Sequence, residues 1–359
     1  MEPTTRPLTT PWLPSRRSFL VGAAGVAGAL VLGACSAGTG SASETPSSSS
    51  SSSSGGEGPG DGSGWSFTDD RGITHRLDAP PERIAAQSVV AGGLWEYGVV
   101  ATGVFGPLRR PDGSADPAIG LADPDDFTSL GEIDSQINLE AMAAGRPQII
   151  VTAMWGEDEY WGIDETQIEQ IEALAPVVGI RVDDRSITEP LARLAELAES
   201  IIGADSEVVT DAAASFERAT DDLRTAIEGN PGLRVVAASG TAAEMYVAYP
   251  PGFPELRLYQ ELGLDLVVPE EHPTSGGFWE TLSWEDADKY PVDLILGDAR
   301  GGTVDQIVEQ MPETARRLPA VQAEQLVAWP TVQAYGYRNV ARNLDDLTEA
   351  VASADPDIA

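Results

Sequence analysis

From residue 65 onward, short apolar runs alternate with longer segments in which apolar residues recur at every third or fourth position. The runs are typical of buried strands, and the periodic segments are typical of helices packed on one side. Strands are predicted at 83–87, 101–105, 148–153, 177–180, 234–239, 245–249, 264–268, 293–296 and 325–329, after a hairpin over 65–77. Helices are predicted at 93–98, 139–144, 165–174, 190–202, 206–229, 254–262, 284–288, 304–310 and 339–352. This order predicts an α/β fold.

The predicted helix after Ser206 is the longest, and it ends at Gly229-Asn230-Pro231, a strong terminator. Its apolar positions are Val209, Ala212, Ala213, Phe216, Ala219, Leu223 and Ile227. Their spacing predicts one buried face, over a length of about 34 Å. We therefore expect a rigid helix at 204–230 that joins an N-terminal α/β lobe at 65–203 to a C-terminal α/β lobe at 231–359.

The N-terminal segment reads as an export signal. Arg16 and Arg17 form a twin-arginine pair ahead of a short apolar run at 21–32, and such a pair directs folded export. The following Leu-Gly-Ala-Cys sequence resembles the bacterial lipobox, and its Cys35 is the only cysteine of the chain. We expect a signal peptide over 1–34, lipidation of Cys35 and anchoring at the outer face of the cell membrane. An ordinary secretion signal with an incidental cysteine is the alternative.

Residues 35–64 are rich in serine and glycine and lack apolar residues able to build a core. Such a composition predicts a disordered tether with a reach of roughly 30 Å. The formal net charge of the chain is −35, which disfavours binding to nucleic acid.

The chain contains two histidines, so it cannot supply a three-histidine zinc or manganese site. We expect His75 to be exposed in the early hairpin, whereas His272 lies in a proline-rich loop before Phe278, from which it could reach a ligand edge. The sequence contains no Gly-x-Ser-x-Gly elbow, no Walker loop and no His-Glu-x-x-His motif. Together with the scarcity of histidine, this disfavours an enzyme.

Several motifs in order resemble the class III periplasmic-type binding proteins that feed iron-siderophore, haem and cobalamin importers. They are Pro81-Glu82-Arg83-Ile84, Leu130-Gly131-Glu132-Ile133, Asn138-Leu139-Glu140-Ala141-Met142, Pro147-Gln148-Ile149-Ile150-Val151, Phe253 with Tyr259-Gln260-Glu261-Leu262-Gly263, Leu282-Ser283-Trp284-Glu285 with Asp293-Leu294-Ile295-Leu296, and Leu318-Pro319-Ala320-Val321-Gln322-Ala323. The chain departs from the pattern at Arg146, where lysine is usual, at Gln148, where aspartate is usual, and at Ala323 and Glu324, where a glycine is usual.

The resemblance implies two Rossmann-like lobes joined by a single long backbone helix, with the ligand held in the cleft between them and with little hinge motion. It implies a monomeric receptor that delivers its ligand to an ABC permease and its ATPase. We expect a ferric siderophore, whose metal is held by the chelate and not by the protein, and no cofactor. Haem or cobalamin is the alternative ligand. A lipid-anchored hydrolase and an adhesion or scaffold lipoprotein are the less favoured functions.

Candidate ligand residues follow from the rule that ligands of α/β sheets lie beyond the carboxyl ends of the strands. Aromatic faces and arginine forks suit a bulky chelate with oxygen atoms on its surface. The candidates are Gln87, Arg109, Arg110, Trp155, Tyr160, Trp161, Tyr246, Phe253, Arg257, Trp279, Tyr335, Tyr337 and Arg338. For each of them, ordinary packing or a solvated surface position is the alternative role.

Glu140 and Glu285 match, in the resemblance, the glutamates that meet arginines of the permease, one in each lobe. Both lie at predicted helix starts, where a carboxylate also interacts favourably with the helix dipole. Docking and helix stabilisation therefore both remain open for these two residues.

Overall fold

The computed structural model describes residues 64–133, 135–157, 159–204, 206–270 and 277–359. The predicted signal peptide, Cys35, nearly all of the predicted tether and His272 lie outside these ranges. Among the described residues, none of the helices has both the length and the apolar character needed to cross a membrane.

The chain enters the described region through the predicted hairpin, formed by β1 (Trp65–Thr68) and β2 (Thr74–Leu77). The prediction that His75 is exposed is wrong, because its side chain is buried. Its Nε2 lies 3.0 Å from Asp69 Oδ2, and the same carboxylate also pairs with Arg71. The Asp69 carboxylate also accepts a hydrogen bond from the Gly179 amide at 3.3 Å, which attaches the hairpin to the N-terminal lobe.

The N-terminal lobe is built around a parallel sheet with the strand order β4-β3-β5-β7. A short strand, β6, pairs antiparallel with the end of β5. The elements are β3 (Ile84–Gln87), α1 (Ser88–Trp95), β4 (Gly103–Phe105), α2 (Leu139–Gly145), β5 (Ile149–Trp155), β6 (Glu159–Tyr160), α3 (Ile168–Glu172), β7 (Val177–Arg181) and α4 (Thr188–Ile202). Every strand predicted in this lobe is therefore present, with modest shifts at the ends.

Helix α1 begins at Ser88, and the predicted start at residue 93 is wrong. The helix is buried from Ser88 to Leu94, so its sequence lacks the one-sided periodicity that marks surface helices. Gly93 faces the segment at Tyr335, and a Cβ added to it would lie 2.5 Å from the Tyr335 carbonyl oxygen. Glycine is therefore required where α1 meets the chain returning from the other lobe.

Helix α5 (Glu207–Gly229) confirms the long unbroken helix between the lobes. It packs along α9 (Tyr337–Ser353), the last helix of the chain. The buried positions of α5 are Val209, Ala212, Phe216, Ala219 and Leu223, all within the predicted apolar face. The pairing of α5 with α9 gives the connection between the lobes a second supporting helix.

The C-terminal lobe contains a mixed sheet with the order β11-β9-β8-β12-β13, and β10 pairs with the start of β8. Strands β8, β10, β12 and β13 are parallel, whereas β9 and β11 run antiparallel to them. The elements are β8 (Arg234–Gly240), β9 (Glu244–Ala248), α6 (Pro254–Glu261), β10 (Asp265–Leu266), β11 (Trp279–Ser283), β12 (Leu294–Asp298), α7 (Val304–Gln310), α8 (Pro319–Gln322), β13 (Leu326–Trp329) and α9. Strand β11 was not predicted, and the predicted helix at 284–288 is only a short turn over Trp284–Asp286.

Direct contacts join the two lobes beyond α5. The amide of Ile187 donates to the carbonyl of Pro254 at 3.0 Å, and the amide of Tyr335 donates to the carbonyl of Val89 at 3.0 Å. The two lobes and the long helix together confirm the predicted fold class.

Candidate functional site

A cavity of about 590 Å³ lies between loops of the N-terminal lobe and the carboxyl ends of strands β8 and β12. Its volume falls in the range of small-molecule sites, about 300–1,000 Å³. The lining residues include Pro107, Pro111, Glu132 and Ile133 from the first lobe, and Ser239, Gly240, Thr241, Met245, Trp284, Asp298, Arg300, Ile307, Gln310, Met311 and Leu318 from the second. The position agrees with the rule that ligands of α/β sheets bind outside the carboxyl ends of strands.

An ion pair stands at the end of β12 on the C-terminal wall of the cavity. Arg300 Nε lies 2.9 Å from Asp298 Oδ2, and the Asp298 side chain is only 5% exposed. Ser239 Oγ donates to the same carboxylate at 2.8 Å, and Thr331 Oγ1 donates to it at 2.9 Å. Burial alone would raise the pKa of Asp298, but the Arg300 charge and the hydrogen bonds hold that pKa below its ordinary value. Asp298 is therefore ionised and fixes the Arg300 guanidinium at the cavity.

Trp284 supplies an aromatic side chain to the same wall. Its Nε1 donates to the Thr241 carbonyl at 2.9 Å, which fixes the orientation of the indole. A Cβ on Gly240 would lie 2.6 Å from the indole ring, so glycine allows the strand to approach it closely. Met245 and Met311 add further apolar contact nearby. This wall therefore combines a rigid ring with adaptable thioether side chains.

The N-terminal wall comes partly from the long loop predicted over 106–127, which contains short helical turns at Pro117–Ile119 and Pro124–Asp126. Arg110 extends from this loop across the cleft, and its Nη2 donates to the Ala299 carbonyl at 3.2 Å. Arg109 remains within its own lobe, where its Nη2 lies 2.7 Å from Asp125 Oδ1. The two predicted arginines thus differ, because Arg110 reaches the other lobe beside Arg300 and Arg109 does not.

Five of the predicted aromatic ligand residues form a cluster at the lobe interface, away from the lining of this cavity. They are Trp155, Trp161, Tyr246, Phe253 and Trp279, and they pack with Phe278 and Trp329. The ring centroids of Trp155 and Phe278, which belong to different lobes, are 5.1 Å apart. Among the described residues, none accepts a hydrogen bond from the buried Nε1 of Trp155. The cluster joins the lobes, and its role in binding a ligand stays a prediction.

The remaining predicted ligand residues are held by other partners. Gln87 Oε1 accepts from the Ala153 amide at 3.4 Å, and Tyr160 OH donates to Glu172 Oε1 at 3.1 Å. Arg257 donates to Asp184 of the first lobe at 3.3 Å. The other three are Tyr335, which is buried, and Tyr337 and Arg338, which begin α9 and are half-buried.

None of the thirteen predicted ligand residues is among the described residues that line the 590 Å³ cavity. Sequence reasoning missed Asp298, Arg300 and Trp284, although the strand-end rule applied to β12 leads directly to the first two. Trp284 carries no comparable signal, because its place in the cavity depends on the unpredicted strand β11.

Glu140 and Glu285 are both exposed, one on each lobe. Glu140 lies in the first turn of α2, where Asn138 accepts a hydrogen bond from the Ala141 amide as the cap. Glu285 lies in the turn after β11, and its amide donates to Ser283 Oγ at 3.1 Å. Neither carboxylate is engaged in a salt bridge within the described part of the chain, so both are accessible to a partner.

Comparison with solved structures gives a strong match to DesE, a ferric-siderophore receptor protein from Streptomyces coelicolor. The two chains share 38% sequence identity over 81% of this chain and 99% of DesE, with a TM-score of 0.76. The substrate-binding protein PiuA of an iron uptake ABC transporter from Streptococcus pneumoniae shares the fold at 16% identity and a TM-score of 0.62, over 80% of this chain and 98% of PiuA. The triscatecholate siderophore binding protein FeuA from Bacillus subtilis shares it at 15% identity and a TM-score of 0.59, over 80% of this chain and 97% of FeuA.

Comparison with curated protein sequences gives no match. The family model described as "Periplasmic binding protein" matches residues 122–332, which extend from the first lobe through α5 to the end of the C-terminal sheet. The match covers more than half of the chain, and it agrees with the two lobes, the long helix and the cavity between the lobes. The chain therefore belongs to the periplasmic binding protein family of extracytoplasmic binding proteins.

Proposed function

We propose that this chain is the substrate-binding receptor of an ABC importer and that it captures a ferric siderophore in the cavity between its lobes. The observation that carries the proposal is the position of that cavity in a chain 38% identical to DesE, a ferric-siderophore receptor. The lining offers an aromatic ring at Trp284, thioethers at Met245 and Met311, and a guanidinium at Arg300. These groups suit a greasy chelate with oxygen atoms on its surface.

Intrinsic tryptophan fluorescence of the purified full chain tests this proposal. We expect saturable quenching by at least one ferric siderophore when the chain is titrated with ferrioxamine, ferrichrome, a ferric catecholate, haem and cobalamin. The iron-free forms of the same siderophores serve as matched controls, because they lack the compact chelate shape. An absence of quenching by all three ferric siderophores would refute the proposal. Saturable quenching by haem or cobalamin alone would instead identify that alternative as the ligand.

We further propose that the receptor is exported through the twin-arginine route and anchored by a lipid on Cys35. The motif order supports this: Arg16-Arg17, an apolar run over 21–32 and then the cysteine. A Cys35→Ala variant is expected to lose incorporation of a labelled fatty acid and to leave the membrane fraction. An Arg16→Lys, Arg17→Lys double variant is expected to remain inside the cell, whereas the control Arg6→Lys is expected to be exported normally. Membrane retention of the unlabelled Cys35→Ala protein would contradict the lipid anchor.

We also propose that the exposed carboxylates Glu140 and Glu285 dock the loaded receptor on its permease. Their exposure on separate lobes supports this role, since one partner can then contact both lobes at once. The proposal further includes a monomeric receptor without a bound cofactor, whose cargo metal is coordinated by the siderophore.

A further inference from the structure

The charges around the cavity between the lobes bear on which class of ferric chelate it accepts. Among the described residues, its lining carries the negative charges of Glu132 and Asp298 and the positive charge of Arg300. Asp298 already engages the Arg300 guanidinium. Arg110, which lies beside Arg300 without lining the cavity, brings the sum only to zero. The cavity therefore offers no excess of positive charge.

Ferric chelates differ sharply in charge. Each hydroxamate loses one proton on binding iron, so three hydroxamates cancel the charge of Fe³⁺. Each catechol loses two protons, so a ferric triscatecholate retains three negative charges. Moving a net anion into a site without compensating cations is costly, and the formal charge of −35 on the whole chain adds long-range repulsion.

We infer that the cavity selects ferric chelates without net negative charge, of the hydroxamate type, and that Arg300 donates hydrogen bonds to the hydroxamate oxygens. This inference rests on the proposed siderophore function. Asp298 acts as a positioning residue, because it holds Arg300 through paired hydrogen bonds while Ser239 and Thr331 hold Asp298. The Arg300 side chain remains 35% exposed at the cavity, so it retains free donors for a ligand. Because Asp298 balances the positive charge of Arg300, this guanidinium suits an uncharged hydrogen-bond acceptor on the ligand.

The apolar lining agrees with this assignment. Pro107 and Pro111 face the cavity from the first lobe, and Trp284 and Met311 face it from the second. A trihydroxamate joins its iron-binding groups through alkyl and amide segments, which such walls can cover. The Trp284 indole, which its hydrogen bond to the Thr241 carbonyl already fixes, can contact these segments without losing rotamer freedom on binding.

Fluorescence titration of the purified full chain with ferrichrome, ferrioxamine B and ferric enterobactin tests the selectivity. The two hydroxamates are expected to bind at least about tenfold more tightly than the triscatecholate, a difference of about 1.4 kcal/mol. Raising NaCl from about 50 to about 500 mM is expected to leave the Kd for uncharged ferrichrome nearly unchanged, because screening acts on net charges. Equal or tighter binding of ferric enterobactin would overturn the selectivity while leaving the siderophore function intact. Flat traces for all three chelates would instead remove the function itself.

Two variants test the residue roles. Arg300→Gln is expected to weaken ferrichrome binding about tenfold, as expected for loss of a charge-assisted donor, and Asp298 keeps Ser239, Thr331 and the residue 300 amide as donors. Arg317→Gln is the matched control, because Arg317 is 72% exposed in the same lobe and pairs with Glu313 outside the cavity lining. Thermal melting verifies that both variants fold. An unchanged ferrichrome Kd in folded Arg300→Gln would refute the role of Arg300.

A gain-of-function variant tests the charge argument independently of Arg300. Met311→Arg adds a cation to the cavity lining. It is expected to narrow the affinity gap between ferrichrome and ferric enterobactin, and to make enterobactin binding sensitive to salt. If the ratio of the Kd values for ferric enterobactin and ferrichrome stays unchanged in the folded variant, charge does not set the selectivity.

Discussion

Glu255 makes the stability of the fold depend on pH in a direction opposite to that of most carboxylates. It is the second residue of α6, and its side chain is buried beside Trp329, whose Nε1 donates to Glu255 Oε1 at 3.0 Å. Burial raises the pKa of Glu255 from 4.5 to about 8. The folded protein therefore holds this proton more tightly than the unfolded chain does.

The sign and the size of the effect follow from proton linkage. A raised folded-state pKa gives stability that is fully present below pH 4.5 and is lost as the pH rises through about 8. Within that window one proton changes the free energy of unfolding by up to about 1.4 kcal/mol per pH unit. Between pH 5 and pH 8 the contribution amounts to about 2–4 kcal/mol after allowance for local relaxation and water penetration.

Chemical denaturation at several pH values measures this contribution. Because other groups titrate too, the quantity to compare is the stability difference between wild type and Glu255→Gln at each pH. We expect the variant to gain about 2–4 kcal/mol relative to wild type between pH 5 and pH 8, since glutamine does not ionise. Glu349→Gln, which changes an exposed glutamate of α9, is expected to show no comparable trend. A flat difference for Glu255→Gln across this range would refute the argument from burial.

Further predictions concern helix packing and transport. Gly93→Ala is expected to destabilise the fold by about 1–3 kcal/mol, because the new Cβ would meet the Tyr335 carbonyl. Gly145→Ala, at a helix position where a Cβ has open space, is expected to be neutral or to stabilise by up to about 1 kcal/mol, and thermal melting distinguishes the two. The Glu140→Ala, Glu285→Ala double variant is expected to lower cellular uptake of the ferric siderophore while its Kd in fluorescence titration stays unchanged. A parallel loss of affinity would contradict a docking role.

The parts of the fold that were predictable are those with one buried face or a nearly continuous apolar run. Apolar residues at helical spacing indicate helix α5, and an apolar run interrupted only by Thr152 indicates β5. Helix α1 was misplaced because it is buried on nearly every side, and its two central glycines suggest a turn. Strand β11 was not predicted because it begins with Trp279-Glu280-Thr281. The buried glutamate in this segment removes the alternation of polar and apolar residues that indicates a strand.

The candidate site was harder to predict from sequence than the fold, because it depends on which strand ends meet across the cleft. The aromatic residues at and after the end of β5 look like ligand contacts in the sequence, yet in the structure Trp155 packs against both Trp161 and Phe278. The cavity is instead lined by apolar side chains together with a few charged ones such as Asp298 and Arg300, and their importance appears only when the lobes are assembled. A short stretch of sequence shows where a strand ends. It does not show which strand ends face each other across the cleft.

The contacts at Ile187–Pro254, Val89–Tyr335 and Trp155–Phe278 have a consequence for how cargo is exchanged. Wide separation of the halves would break backbone hydrogen bonds and expose aromatic surface together, so a clamshell motion is energetically unfavourable. Cargo then enters and leaves by the mouth of a largely preformed pocket, and its residence time depends on the local fit there. Solution scattering curves of the empty and iron-loaded receptor should accordingly be nearly superimposable.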